Sequence, residues 1–409
     1  MKPTRAVLAH VEAALRALLE FARPADRTLS AYFRSHRQLG QNDRAFIAET
    51  AFAVLRRKRS LAAAAGSDAP RDLAIAALVR VFGLSGRALE EEAELVARIK
   101  AAQDRKFSDA VRADLPDWLW ERLVLEYGAG EAVAISQGLL GPAPLDLRVN
   151  LARISRDQAL AGLQLEASAT PHSPSGIRLK EKPQVNRHPL FLDGSIEVQD
   201  EGSQLLAYLL APRRGEMVAD FCAGAGGKTL ALSMLMHGTG RIYAMDVSAK
   251  RLGELRPRAA RAGISNVHPI VLSGENDLRA KRLAGKLDRV LVDAPCSGFG
   301  TLRRNPDLKW RHDALAVSEL SAKQSRILDS ASKLLKTGGR LVYATCSILA
   351  EENEAVVDRF AAAHPEFKPL SCSELLVARR ISLETGARLR LWPHRHGTDG
   401  FFAAAFERR

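Results

Sequence analysis

Met217-Val-Ala-Asp220-Phe-Cys222-Ala-Gly224-Ala-Gly226-Gly227-Lys228-Thr229 reads as a short buried strand, a glycine-rich turn and the opening of a helix. Glycines at such a turn let backbone N–H groups approach a ligand at a helix N-terminus. The ending Gly227-Lys228-Thr229 invites a phosphate-loop reading, which requires glycine five positions before Gly227. Cys222 stands there, and that reading fails. Further strand-like runs follow at Arg241–Val247, Val267–Leu272, Asp288–Asp293, Arg340–Thr345 and Phe401–Phe406. Helical stretches fall between most of them, at Thr229–Met236, Lys250–Arg261 and Ala314–Leu335. This alternation predicts an α/β fold: a doubly wound, mostly parallel sheet covered on both faces.

Asp246 ends the strand after the glycine-rich turn, 22 residues beyond Gly224. A carboxylate there can accept hydrogen bonds from both hydroxyls of a ribose. Loop and carboxylate together predict an adenosine-containing cofactor, either a dinucleotide or S-adenosylmethionine.

Two of the chain's four cysteines follow predicted strands, in Asp293-Ala294-Pro295-Cys296 and Ala344-Thr345-Cys346-Ser347. Open α/β sheets carry their sites beyond the carboxyl ends of the strands, which places both thiols and Asp293 beside the glycine-rich turn. A hydride-transfer enzyme has no evident use for them. Cytosine C5 methylation does, because C5 is a poor nucleophile until a thiolate adds to C6. A free thiol is only slightly ionised at neutral pH, so a positive neighbour is needed. A carboxyl group at the base edge favours protonation at N3 as charge develops there. Releasing the methylated base requires loss of the C5 proton and rupture of the protein–base bond, which gives a second thiol a task. The bland reading is that isolated cysteines are inert, and Cys222 and Cys372 fit it as core or loop-lining residues.

Bulk composition agrees with this picture. At 409 residues, two or three domains are expected. Lys and Arg exceed Asp and Glu by 60 to 47, and a net charge of +13 favours a polyanionic partner such as a nucleic acid, without saying which. The four cysteines show no CxxC or other metal spacing, so neither a metal site nor a disulfide framework is expected, and a reduced, cytoplasmic setting follows. Met1–Glu20 carries His10, Glu12, Arg16 and Glu20 among its apolar residues, which suits an amphipathic helix rather than a signal peptide, and no run reaches the length of a membrane span.

Residues 1–140 read as helices, with helical apolar spacing in Val7–Leu19, Ala45–Leu55 and Leu73–Phe82. Arg56-Arg57-Lys58-Arg59 closes the Ala45 helix in this reading, either as a solvated end that complements the helix dipole or as a phosphate contact. Gly141-Pro142-Ala143-Pro144 marks a boundary. Residues 143–190 then form a small α+β segment, with strands at Leu145–Val149 and Gly176–Leu179 and a helix at Ser155–Leu163, and residues 195–409 form the doubly wound domain.

The chain resembles the RsmB/NSUN (Fmu/Sun) family of RNA 5-methylcytosine methyltransferases, of the bacterial type. The resemblance runs through Cys222–Lys228, Asp293-Ala-Pro-Cys296-Ser-Gly, Arg303-Arg-Asn-Pro-Asp-Leu-Lys-Trp310, Tyr343-Ala-Thr-Cys346-Ser and Asp399-Gly-Phe-Phe402. It implies a Rossmann-like, S-adenosylmethionine-dependent methyltransferase domain preceded by an all-α NusB-like RNA-binding domain and a small RRM-like segment. Asp43-Arg44-Ala45-Phe46 and Val54-Leu-Arg-Arg57 carry the NusB-like part.

By the same resemblance Cys346 is the nucleophile and Cys296 assists release, whereas DNA cytosine methyltransferases use the Pro-Cys cysteine as nucleophile. Asp293 and Lys228 contact the target cytosine. Cys222, Ala223, Gly224, Ala225, Gly226, Gly227 and Lys228, with Asp246 and Asp293, hold the cofactor, and Glu275 takes its adenine side, with Asp277 as the alternative. The chain departs from the family at Gly224-Ala225, where Ala-Pro is common, and at Gly274-Glu275-Asn276-Asp277, where an aspartate usually follows the third strand. Arg303, Arg304, Lys309, Trp310 and Arg311, with Arg56 and Arg57, are expected on the RNA path, cations tracking phosphates while Trp310 stacks a base. Trp310 plugging an apolar gap is the alternative. Ribosomal RNA is the expected substrate. Transfer RNA, a catalytically silent RNA-binding or assembly factor of the same fold, and a nucleotide-dependent oxidoreductase are the competing readings.

Overall fold

The computed structural model describes residues 4–85, 89–102 and 107–409. The chain forms two compact units, Met1–Pro142 with Thr301–Leu315, and Ala143–Gly300 with Ala316–Arg409. The first three residues of the expected N-terminal helical segment lie outside the described residues.

The first unit is helical, as the periodicity predicts. Helices Arg5–Leu18, Gln41–Ala65 and Pro70–Arg80 bury Leu15, Ile47, Val54, Leu73 and Leu78 in one core. Thr4 caps the first of them, accepting from the Val7 N–H at 3.2 Å, and Pro70 starts the third where no N–H is needed. The basic run does not end the Gln41 helix. The helix kinks at Arg57 (φ −123°, ψ 27°) and continues to Ala65, because Leu61, Ala64 and Ala65 still have a core to enter.

The second unit holds two sheets. The smaller is antiparallel, in the order β2-β3-β1-β4, built from β1 (Leu145–Val149), β2 (Ala167–Ala169), β3 (Gly176–Leu179) and β4 (Ile196–Val198). The sequence reading ends this segment near residue 190 and misses β4, whose three residues are too few to show a pattern. The larger sheet runs β10-β12-β9-β8-β5-β6-β7, with β11 beside β12. Its strands are β5 (Met217–Asp220), β6 (Arg241–Asp246), β7 (Val267–Val271), β8 (Leu287–Asp293), β9 (Leu335–Thr345), β10 (Phe367–Leu370), β11 (Leu389–Leu391) and β12 (Phe401–Arg408).

β5 to β9 are parallel where they pair, and β12 returns antiparallel against β9. Both outer strands of the ordered path, β7 and β10, carry a proline, Pro269 and Pro369. Proline cannot donate to a ladder, so it is tolerated at an edge and blunts further pairing there. The chain leaves β5 towards β6 and β7 on one side, then returns to β8 and β9 on the other. That reversal lies between β5 and β8, where a ligand crevice is expected at the carboxyl ends.

Candidate active site

A cavity of about 270 Å³ opens at this reversal point. Phe221 and Cys222 line it after β5, Asp246 and Val247 after β6, Asp293 to Cys296 after β8, and Cys346 after β9. Glu275 and Lys323 complete its wall with Arg251. Six residues singled out from sequence therefore share one cavity: Cys222, Asp246, Glu275, Asp293, Cys296 and Cys346.

Two close approaches hold the cysteine-bearing turns together. Ala294 N–H donates to Ala344 O at 2.9 Å, and Gly300 N–H to Cys346 O at 2.8 Å. A Cβ on Gly300 would stand 2.1 Å from Gly400 O and 2.7 Å from Cys346 O, so only glycine lets the three backbones meet. This accounts for Gly400 in the Asp399-Gly-Phe-Phe402 motif. The sulfurs of Cys296 and Cys346 lie 3.4 Å apart. Hydrogen bonding to Cys346, then burial, and then the nearby charges of Cys346 and Glu352 push the Cys296 thiol well above its ordinary range. Its surroundings therefore favour the neutral thiol at Cys296.

Lys228 Nζ donates to Asp293 Oδ2 at 2.6 Å and lies 5.8 Å from the Phe401 ring centre. Burial opposes the ammonium, but the Asp293 carboxylate outweighs it, and the Lys228 pKa is raised above its ordinary value. The site therefore holds a permanent cation beside its carboxylate and thiols.

The glycine-rich turn spends part of its backbone internally, which corrects the expectation of a free N–H cradle. Ala223 N–H donates to Met245 O at 2.8 Å, Gly224 N–H to Asp246 Oδ2 at 2.8 Å and Gly226 N–H to Ala223 O at 2.9 Å. Ala223 through Lys228 stand beside the cavity rather than among its lining residues. Gly224 (φ +55°) and Gly226 (φ +86°) are required by shape, since a Cβ would meet Arg251 at 2.3 Å and Leu255 at 2.2 Å.

Asp246 has a second task beside any ligand: its other oxygen accepts the Ser248 N–H at 2.7 Å. Glu275, paired with Arg326 at 2.9 Å, faces the cavity. Asp277, which is not among the lining residues, instead caps the short helix Leu278–Lys281 and binds Ser273 N–H at 2.7 Å.

Several residues of the site escape sequence reading because their partners are remote in the chain. Arg148 donates to Gly227 O at 2.7 Å, and burial lowers its pKa to about 10. Arg258 donates to Ala225 O at 2.6 Å. Asp220, fully buried with only Thr229 donating to its Oδ2, is pushed up to about 7 by desolvation. Cys372 is fully buried with its thiol raised to about 11, as an inert cysteine should be, while Cys222 lines the cavity with its thiol raised well up by burial.

Several residues of the expected RNA path have partners within the first unit. Lys309 is buried and donates to Arg56 O at 2.8 Å, and Trp310 Nε1 donates to Leu55 O at 2.9 Å. Arg56 donates to Arg303 O at 3.0 Å, Arg303 is buried, and Arg311 pairs with Asp307 at 3.5 Å. Arg57 and Arg304 are half-buried. Trp310 therefore plugs the helical unit, and its ring is flanked by the Lys58 and Lys309 ammoniums at 5.4 and 5.2 Å. An indole that donates to a main-chain carbonyl and fills a gap is not a free stacking face.

Sheet order, glycine-rich turn and switch-point cavity define a Rossmann-like methyltransferase. Comparison with known proteins narrows the class. Residues 207–407 match the family described as 16S rRNA methyltransferase RsmB/F, and residues 115–186 match the ferredoxin-like domain of RsmF/B-like methyltransferases. That second match begins well before the Gly141 boundary expected from sequence and includes helices Asp117–Tyr127 and Ala129–Leu140.

The "Probable ribosomal RNA small subunit methyltransferase B" of Synechocystis is 35% identical over 306 residues, covering 73% of this chain and 68% of that protein. Its Bacillus subtilis namesake is 32% identical over 326 residues, covering 77% and 71%. Among solved structures, PH0851 superposes over 100% of both chains with TM-score 0.79 at 26% identity. NSun6 from Pyrococcus horikoshii with SFG shares the fold at TM-score 0.63 and 21% identity, covering 72% of this chain and 98% of its own. The chain belongs to the RsmB/F methyltransferase family. S-adenosylmethionine is the cofactor of this class. The residues present fit it: a cavity with carboxylates at Asp246, Glu275 and Asp293, beside a turn whose Gly224 and Gly226 have positive φ and no room for a Cβ. Among the described residues, no helix is long and apolar enough to cross a membrane, and no His/Cys/Asp/Glu group could hold a metal ion.

Proposed function

We propose that the protein methylates C5 of a cytosine in small-subunit ribosomal RNA, through a covalent bond between Cys346 and the base. The observation that carries this reading is the pair of sulfurs 3.4 Å apart at the cavity, with the Lys228–Asp293 pair beside them. The names of the relatives supply the RNA class. Cys222–Lys228, Asp246, Glu275 and Asp293 would hold S-adenosylmethionine, which supplies an electrophilic methyl group.

Cys346 attacks as thiolate: its sulfur bonds to C6 and the C5–C6 electrons make C5 nucleophilic. In this reading Cys296, whose surroundings favour its neutral thiol, is the S–H donor to the Cys346 sulfur 3.4 Å away and so favours the thiolate form. The Lys228 ammonium, held in place by the Asp293 carboxylate, steadies the negative charge that reaches the ring nitrogen and carbonyl as C5 reacts. After methyl transfer the C5 proton passes to solvent, its bonding electrons restore the C5–C6 double bond, and the C–S electrons return to Cys346. Cys296 again donates to the sulfur that is regaining charge, which gives it the releasing role.

Transfer of labelled methyl to RNA, followed by bisulfite sequencing, tests the reaction. Cys346→Ala should abolish transfer. Cys296→Ala should accumulate a protein–RNA adduct that survives denaturing electrophoresis. An adduct in the Cys346 variant instead would reverse the two roles, and no methylation of any RNA would leave a silent RNA-binding factor.

A further inference from the structure

Glu352 is fully buried outside the cavity and outside both cysteine motifs, six residues beyond Cys346. Its Oε1 accepts the Ser297 N–H at 2.8 Å and Gln324 Nε2 at 3.0 Å. Its Oε2 accepts the Ser297 hydroxyl at 2.5 Å and also the Ser347 hydroxyl. Ser297 follows Cys296 and Ser347 follows Cys346, so one carboxylate grips both thiol-bearing turns. Gln324 extends the grip by donating to Pro295 O at 3.0 Å. Asn353, the next residue, accepts the Thr345 hydroxyl at 2.5 Å and donates to Ser347 O at 3.0 Å. Tyr343 hydroxyl fixes the segment from below through Glu352 O at 2.6 Å. A buried carboxylate is costly unless donors fill its oxygens, and here four donors do. Three of the four come from the turns after β8 and β9, which carry the two sulfurs.

We propose that Glu352 is a positioning residue that fixes the Cys296 sulfur against the Cys346 sulfur, so that its loss slows release of methylated RNA more than attack. The claim about release rests on the covalent mechanism proposed above; the claim about spacing does not. Attack bonds only the Cys346 sulfur to the base, with Cys296 as a secondary aid to its thiolate form, whereas assisted release requires both sulfurs in place.

Spacing is read by diamide oxidation, in which the two thiols lose two electrons and two protons to diamide and join as a disulfide. Peptide mapping identifies the Cys296–Cys346 crosslink. Glu352→Ala should slow crosslinking by about tenfold or more, and Ser347→Ala by a smaller factor, because misplacement on the scale of an ångström is severe for such pairs. Glu352→Gln keeps the side-chain shape, and the hydroxyls can rotate to accept from its amide, so it should restore crosslinking. With RNA and methyl donor, Glu352→Ala should keep most of its single-turnover methylation yet accumulate adduct, and Glu352→Gln should not. If Glu352→Ala does not fold, Ser347→Ala against Glu352→Gln carries the same comparison. Crosslinking at the parental rate in the Ala variants overturns the proposal. Slowed crosslinking with no adduct from any variant, Cys296→Ala included, leaves the spacing role standing and removes the covalent mechanism instead.

Discussion

Lys228 in the methyltransferase sheet and Lys309 in the helical unit are both enclosed lysines within sequence motifs, yet they end in opposite states. Lys228 meets Asp293 at 2.6 Å and its pKa is raised despite the burial that opposes it. Lys309 meets a main-chain carbonyl, and burial, only partly offset by Asp114, lowers its pKa from 10.5 to about 7. A dipole does not replace the hydration of an ammonium, whereas a carboxylate does. The lysine with a charged partner stays a working cation, and the other becomes part of a core.

The strongest way to break this comparison is Lys228→Met. Removing the cation from beside Asp293 should lower single-turnover methylation by about 10²–10³-fold while the chain stays folded. Coupling with Asp293→Asn should be far from additive, because the two act as a pair. Activity within a few-fold of the parent would show that the pair is structural. Trp310→Ala acts on the other side. It should lower the stability of the helical unit by about 2–4 kcal/mol in denaturant unfolding while RNA affinity measured on folded protein changes little. Lost RNA affinity with unchanged stability would favour the stacking role instead.

A third test lies in the titration of Lys309. Its folded pKa lies below its unfolded value, so between about pH 7 and 10.5 the unfolded chain binds the additional proton. Stability should therefore climb as pH rises through that window and fall back as pH drops towards 7. Lys309→Met should flatten the climb in melting curves recorded from pH 7 to 10. An equal slope in both proteins would assign the dependence to another group.

Much of the site was legible because strand ends are local signals. Short apolar runs closed by Asp246, by Asp293-Ala-Pro-Cys296 and by Thr345-Cys346 announce both the strand and the residue that leaves it, and the alternation with helices places those ends on one side of a sheet. Gly300 and Gly400, 100 residues apart, carried no such signal, since a glycine needed for close approach looks like any other turn glycine until its neighbour is known. Glu352 reads as one acid in the run Glu351-Glu352-Asn353-Glu354, and its burial depends on hydroxyls 5 and 55 residues away. Arg56, Lys309 and Trp310 misled for the converse reason. Cations around an aromatic ring have the same composition whether they face RNA or line a core.

By itself the sequence determined the doubly wound class, the strands that carry Asp246, Asp293, Cys296 and Cys346, and the helical character of the first 140 residues, because period, punctuation and strand-end chemistry are written within short windows. Only the tertiary structure decided that the two sulfurs stand 3.4 Å apart under one buried carboxylate, that Glu275 rather than Asp277 faces the cavity, and that Trp310 belongs to the helical unit. Each of those depends on which distant backbone supplies the partner. Burial and hydrogen bonding across the chain settle that, and no local pattern encodes it.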